Sequence, residues 1–262
     1  MIIDQDLHIH THLSPCGDCP ESTIAAYKKE ARAFGVTTLG ITDHFRDAGI
    51  PGGNAWYDKL DFNHISRIRA EIAGDPDRDV RVLFGAEAEY SPEIRDIAIS
   101  EEHAKELDFF IVPHSHTHVI MPVEYRADHN RHIDFMITAF HDITESKLAK
   151  YVTAIAHPFE AGACSDKQDE ILELISDDQF RDCFRKAAEK DIAVEINLGT
   201  LTARAPRYRE SRFFRMFEIA RDCGCKFTFG SDSHRPKHFS GITQGYAWAA
   251  LLGLTEQDIR RV

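Results

Sequence analysis

The stretch DLHIHTHL, residues 6–13, sets histidine at every second position, at His8, His10 and His12. In an extended chain successive side chains alternate between faces, so the three imidazoles would lie on one side. Neutral imidazole is the commonest metal-ligating side chain, and several on one strand face suit a divalent transition metal. A polar surface strand would carry the same pattern. The stretch alone leaves both readings open, and the residues downstream decide between them.

The chain has 262 residues, 43% of them hydrophobic, enough for a substantial core in one large α/β fold or barrel. Its formal charge of −12 argues against general nucleic-acid binding, although a local basic cluster can still grip a small anion. Fifteen histidines against seven tyrosines is the compositional anomaly. The six cysteines include a CxxC at Cys16 and Cys19 but no second pair at zinc-ribbon spacing. No leader-like or membrane-length apolar run is found, so a soluble cytoplasmic protein with reduced thiols is expected.

Short β-branched runs alternate with segments of helical period. The expected strands are Ile2–Ile9, Thr37–Thr42, Val80–Ala86, Phe109–Pro113, Val152–Ala156, Ala193–Ile196 and Phe227–Gly230. Helical segments lie between them, such as ESTIAAYKKEARAFG with Pro20 and Ser22 in front and Gly35 behind. Strand followed by helix, repeated in this way, predicts a parallel sheet, open or closed into a barrel. In both, ligand chemistry gathers at the carboxyl ends of the strands.

Those ends decide the opening question. The first carries His8 and His10, the second Asp43 and His44, the third Glu87, and the fourth His114, His116 and His118 of PHSHTH. The fifth is followed by His157, the sixth by Glu195 and Asn197, and the seventh by Asp232 and His234. A solvated surface would not sort His, Asp and Glu to one end of every strand; a multi-metal active site would. His64, His103, His129, His132, His141 and His238 fall elsewhere and read as ordinary solvated or hydrogen-bonded imidazoles.

With DLHIHT, ITDH, GAE, the PHSHTH turn, AHP, VEIN and GSDSHRP assembled, from Asp6 to Pro236, the chain resembles the PHP (polymerase and histidinol phosphatase) family. Within that family of metal-dependent phosphoesterases it is most similar to the histidinol-phosphatase-like branch. The resemblance implies an α/β fold, a distorted seven-stranded (β/α)7 barrel of TIM-barrel type, with residues 1–262 forming a single PHP domain. It implies two or three divalent metal ions, Zn, Mn or Fe. His8, His10, Glu87 and Asp232 would hold the first. Glu87 would bridge to a second, completed by His157 and by His114 or His116, with His116 slightly preferred. The third would take His44, His234 and a ligand from the first loop. Related phosphatases place a histidine where this chain has Cys16, so Asp18 or His12 stand as alternatives there.

Paired divalent ions clamp phosphoryl oxygens and lower the pKa of water held between them, which suits in-line attack on phosphorus. Asp232 and His234 are read as catalytic in proton transfer as well as ligating. The stretch RAPRYRESR, residues 204–212, concentrates guanidinium in an acidic chain, and Arg204, Arg207 and Arg209 are candidates to hold a phosphate. Asn197 is a candidate substrate-side donor, with Glu195 a support behind the metals. The expected partner is a small phosphorylated metabolite, histidinol phosphate first, with no membrane. The alternatives are the same fold acting on nucleotide phosphates or phosphodiesters, an amidohydrolase-like C–N hydrolase, and a metal-binding module without turnover.

Overall fold

Each of the seven expected apolar runs becomes a parallel strand in the computed structural model, which describes residues 3–16, 19–202, 209 and 211–262. Among those residues the strands are β1 (Gln5–Ile9), β2 (Thr38–Ile41), β3 (His44–Phe45), β4 (Arg81–Phe84), β5 (Glu87–Ala88), β6 (Tyr90–Ser91), β7 (Asp96–Ile97), β8 (Phe110–Pro113), β9 (Val152–Ala156), β10 (Ala193–Asn197) and β11 (Phe227–Gly230). Strands β3 and β5 extend β2 and β4 beyond short interruptions. Strands β6 and β7 form a separate antiparallel pair.

The parallel strands pair as two sheets, β1-β2-β4 and β11-β10-β9-β8-β5-β3, rather than as the one seven-stranded ring expected. The ladder breaks between β2 and β3 and between β4 and β5. Backbone bonds stitch the sheets there, Gly85 N–H to Ile41 O at 2.9 Å and Glu87 N–H to Asp43 O at 3.2 Å. At the other margin Ile9 bridges Ser233 in parallel, with His10 N–H donating to Ser233 O at 3.0 Å and Asp232 N–H to His8 O at 2.9 Å.

Two clusters of apolar side chains follow from strand alternation. The larger lies between strands and helices, with Phe140, Phe159, Phe180, Phe184 and Trp248 fully buried in it. The smaller takes Leu7, Leu83, Ile111, Ala154, Ala156 and Ala193 from the opposite faces of β1, β4, β8, β9 and β10, around the Phe109 ring. That ring fits because Gly40 and Gly85 carry no side chain; a Cβ at either would come within 2.4 Å of it. Truncating so enclosed a ring costs about 3–5 kcal/mol.

The helices start and stop on local chemistry. Helix Ile24–Phe34 is capped by Thr23, whose hydroxyl accepts from Ala26 N–H, and by Gly35 at φ +73°. Ser22, expected in front of this helix, instead donates its hydroxyl to His234 O at 2.9 Å, tying the helix start to the end of β11. Ser176 closes a capping box with Gln179 ahead of helix Asp177–Glu189. Among the described residues no helix is long and apolar enough to cross a membrane.

Candidate metal centre

The strand ends converge as alternation predicts. His8 and His10 leave β1, His44 opens β3, Glu87 opens β5, His116 and His157 follow β8 and β9, and Asp232 and His234 follow β11. Potential ligand atoms lie within 4.8 Å of one another in four overlapping groups. These are His8–His10–Asp232, His8–Glu87–His157, His44–Glu87–His116 and His10–His44–His234. Glu87 is the hub. Its Oε1 is 2.8 Å from His157 Nε2 and 3.3 Å from His116 Nε2; its Oε2 is 2.7 Å from His44 Nδ1 and 3.6 Å from His10 Nε2. Asp232 Oδ1 is 3.3 Å from His10 Nε2 and 3.5 Å from His8 Nε2.

In five of these histidines Nδ1 is engaged away from the centre, which leaves Nε2 facing inward. His8 Nδ1–H donates to Glu195 Oε1 at 2.7 Å and His116 Nδ1–H to Glu89 Oε2 at 2.8 Å. His10 Nδ1–H donates to Ser14 Oγ at 3.1 Å, the hydroxyl itself donating to Asp43 Oδ1. Ser115 Oγ donates to His157 O and accepts from His157 Nδ1–H at 2.6 Å, and His234 Nδ1–H donates to Asp232 O at 3.0 Å. A hydrogen bond at one ring nitrogen fixes the tautomer and aims the lone pair of the other, as in metal-ligating histidines. Three inward atoms, His44 Nδ1, Glu87 Oε2 and Asp232 Oδ1, are buried with no hydrogen-bond partner. Converging nitrogen lone pairs, two carboxylates and unpartnered acceptors fit divalent cations.

Charge follows the same geometry. Burial alone would raise the Glu87 carboxyl, but His116, His44 and His8 hold it well below its ordinary value. Asp232 is held down likewise, against burial, by His8, His10 and His234. Burial opposes protonation of His157, yet its bond to Glu87 brings it up to about 9. His10, beside His234 and His44, is pushed well below its ordinary value by burial and those neighbours.

Backbone strain is concentrated here. His157 and Asp232 hold φ of +27° and +50°, in the region that side chains disfavour. Glu195 accepts His157 N–H at 2.7 Å, and His8 O accepts Asp232 N–H. Gly230 is required by the close approach: a Cβ there would lie 2.1 Å from Glu195 Oε1 and 2.4 Å from His8 Cβ.

The structure separates several residues that the sequence left together. His114 is fully buried behind the cleft; its Nδ1–H donates to Met136 O at 3.0 Å and its Nε2 accepts Phe159 N–H at 2.9 Å. Burial takes it down to about 3, and neither nitrogen remains for a metal. His12 turns outward toward Ser22 O and Glu71. Asn197, expected to face substrate, is buried with its amide donating to Glu195 Oε2 and Asp232 Oδ2, each at 3.2 Å, and with Oδ1 accepting Thr200 N–H. It lies behind Asp232 because Glu195 and Asn197 share one face of β10. Arg209 is exposed, its guanidinium 5.9 Å from the Phe214 ring centre. Asp18, Arg204 and Arg207 lie outside the described residues.

Cys16 lines the cleft with its thiol against His234, among the candidates for the first-loop position. Three residues not singled out in the sequence complete the surroundings. Glu89 fixes His116; Tyr57 donates its hydroxyl to Glu89; Trp56 stands edge-on to His44 with ring centres 5.0 Å apart. Glu89 had a signal, since it lies two residues beyond Glu87 in an extended segment. The cleft above the centre has a volume of about 850 Å³.

This convergence of strand-end histidines and carboxylates on a parallel α/β scaffold is that of a PHP domain, and the chain belongs to the PHP domain family, which its residues 6–199 match. Among curated proteins it is similar to a probable phosphatase of Clostridium acetobutylicum, 27% identical over 233 residues covering 87% of this chain and 78% of that protein. It is likewise similar to a probable phosphatase of Aeromonas hydrophila, 28% identical over 230 residues, 87% of this chain and 77% of the other. In fold it resembles histidinol phosphate phosphatase of Lactococcus lactis, solved with zinc, L-histidinol and phosphate. The TM-score is 0.61 at 17% identity, over 97% of this chain and 95% of that one.

Proposed function

We propose that this chain is a metal-dependent phosphoric ester hydrolase that releases phosphate from a small phosphomonoester, with L-histidinol phosphate the first candidate. The observation that carries the reading is the set of inward Nε2 atoms around Glu87 and Asp232, each ring locked from behind. Family membership and the probable-phosphatase relatives support the reaction class. The strand order, with the Ile9–Ser233 bridge, supports a distorted seven-stranded barrel forming a single domain over residues 1–262. Two or three divalent ions, Zn, Mn or Fe, fit the ligand groups, and the reading keeps a cytoplasmic location.

Bound there, such ions would supply Lewis-acid stabilisation of phosphoryl oxygens and a lowered pKa for water. The chain's own part is positioning and proton handling. His8, His10, Glu87 and Asp232 would hold one ion; Glu87 would share a second with His116 and His157; His44 and His234 would hold a third. Glu195 and Asn197 fix His8 and Asp232, so the carboxylate does not swing during turnover. His234, partly exposed at the cleft and fixed through Nδ1, would offer Nε2 to the third ion or, in a two-ion centre that leaves this nitrogen free, pass a proton from it to the departing alkoxide. An amidohydrolase-like reading has less support, since no lysine is among the described residues lining the cleft.

The test is inorganic phosphate released from L-histidinol phosphate by Mn²⁺- or Zn²⁺-loaded protein, with Asp232→Asn alongside. Turnover lost in the variant supports both class and substrate. No release from histidinol phosphate but release from a nucleotide monophosphate would keep the class and reject the substrate.

A further inference from the structure

The cleft is asymmetric in a way that bears on the organic half of the ester. Its floor is the histidine–carboxylate cluster, while its β3 side is formed by the loop Asn54–Tyr57. Trp56 is 38% exposed there, an unusual position for a large aromatic, with its ring edge-on to His44 at 5.0 Å and to Tyr57 at 4.7 Å. The loop that presents it is fastened at several points. Asn54 Oδ1 accepts the N–H groups of Trp56 and Tyr57 at 3.0 and 3.3 Å. Tyr57 is buried and bonded to Glu89, the same carboxylate that fixes His116. The Arg46 guanidinium donates to the carbonyls of Ile50 and Pro51. An exposed indole held so firmly beside a ligand cluster is a preformed contact surface, with little ordering left to be done on binding. Across the cleft, after β9, Glu160 contributes a carboxylate, and no Lys or Arg is among the described lining residues.

We propose that Trp56 is a specificity-determining residue whose indole receives a flat, neutral or cationic organic group of the phosphoester. The proposal deepens the hydrolase reading above and rests on it. An indole face offers stacking to a planar ring and cation–π attraction to a charged nitrogen. Removal of the indole therefore erodes preference among esters rather than the chemistry they share.

The experiment compares kcat/KM for phenyl phosphate, L-histidinol phosphate and glycerol 2-phosphate in the wild type, Trp56→Phe and Trp56→Ala, with metal content measured in each. The expected result is a loss of roughly fivefold to tenfold in the planar-to-glycerol ratio in Trp56→Ala, carried by KM, and partial retention in Trp56→Phe. A second readout needs no turnover. The chain has two tryptophans and Trp248 is fully buried, so L-histidinol added with phosphate should change indole emission in the wild type and not in Trp56→Phe. Hydrolysis of all three esters with an unchanged ratio in Trp56→Ala at unchanged metal content would overturn this inference alone. No hydrolysis of any of them would overturn the hydrolase reading and take the inference with it.

Discussion

Nδ1 of His44 and Oε2 of Glu87 stand 2.7 Å apart, both buried, and neither has a hydrogen-bond partner. Two polar atoms that close would bond if they were aligned; here they do not, and both residues belong to one ligand group with His116. A buried acceptor without a partner is costly, so the arrangement is intelligible as half of a coordination shell. Saturating Mn²⁺ or Zn²⁺ should therefore raise the Tm of the metal-stripped protein. At 100-fold excess over Kd the gain is about 2.7 kcal/mol, roughly 5–10 °C for a chain of this size. Differential scanning fluorimetry should show the rise in the wild type and most of it lost in Glu87→Gln. An equal rise in the variant would remove Glu87 from the centre.

Glu89, which Tyr57 bonds, holds His116 from behind and would act through it on a bound metal. Glu89→Gln should weaken divalent-metal affinity about 10- to 100-fold while leaving the fold intact, and Tyr57→Phe should do so less. Competition with a chromogenic chelator measures this directly. Affinity unchanged in Glu89→Gln would mean that His116 needs no orientation from behind.

His114 and His116 should separate by kind of defect. His116→Ala should lower metal stoichiometry at nearly native Tm. His114→Leu leaves Met136 O and Phe159 N–H without their buried partner, at roughly 1–3 kcal/mol each, and should lower Tm without altering the ligand set. The reverse pattern, metal lost only in His114→Leu, would invert the assignment.

How much of this was legible in the sequence differs from residue to residue. His8 and His10 share a face because a strand has period two, and the strand–helix alternation put His44, Glu87, His157 and Asp232 at corresponding ends. That logic stops where the strand stops. In PHSHTH the backbone leaves the extended form after Pro113, so spacing no longer says which imidazole turns inward. Asn197 failed for a related reason: it is still within β10, where its face is the interior one shared with Glu195. Trp56 lies in a loop of no periodic pattern, and only the tertiary fastening by Asn54, Arg46 and Tyr57 brings it to the cleft.

Gly230 has no tolerance for a side chain. Gly230→Ala would drive a methyl into Glu195 and His8, and should cost about 1–3 kcal/mol together with a loss of metal affinity. Urea denaturation of the stripped and loaded forms gives both numbers. A loaded form as stable as the wild type would show that the strand can shift without disturbing His8.

His132, on helix His129–Glu145, is fully buried and neither ring nitrogen has a partner; burial, with His129 nearby, takes it down to about 4. Unfolded histidine titrates near 6.5, so the unfolded chain takes up this proton first as pH falls. Stability is accordingly lost from about pH 6.5 down to about 4, by roughly 2 kcal/mol at pH 5 from this residue. His132→Leu should show a smaller Tm decrease between pH 7 and pH 5 than the wild type. An identical decrease would assign the acid sensitivity elsewhere.

The most direct test of the central claim is the metal content of the purified chain, by elemental analysis with anomalous scattering from crystals. Two or three divalent ions should lie within reach of His8, His10, His44, Glu87, His116, His157, Asp232 and His234, with shared occupancy lost in Glu87→Gln. A chain that releases phosphate at full rate after exhaustive chelation, with no ion at these residues, would contradict it.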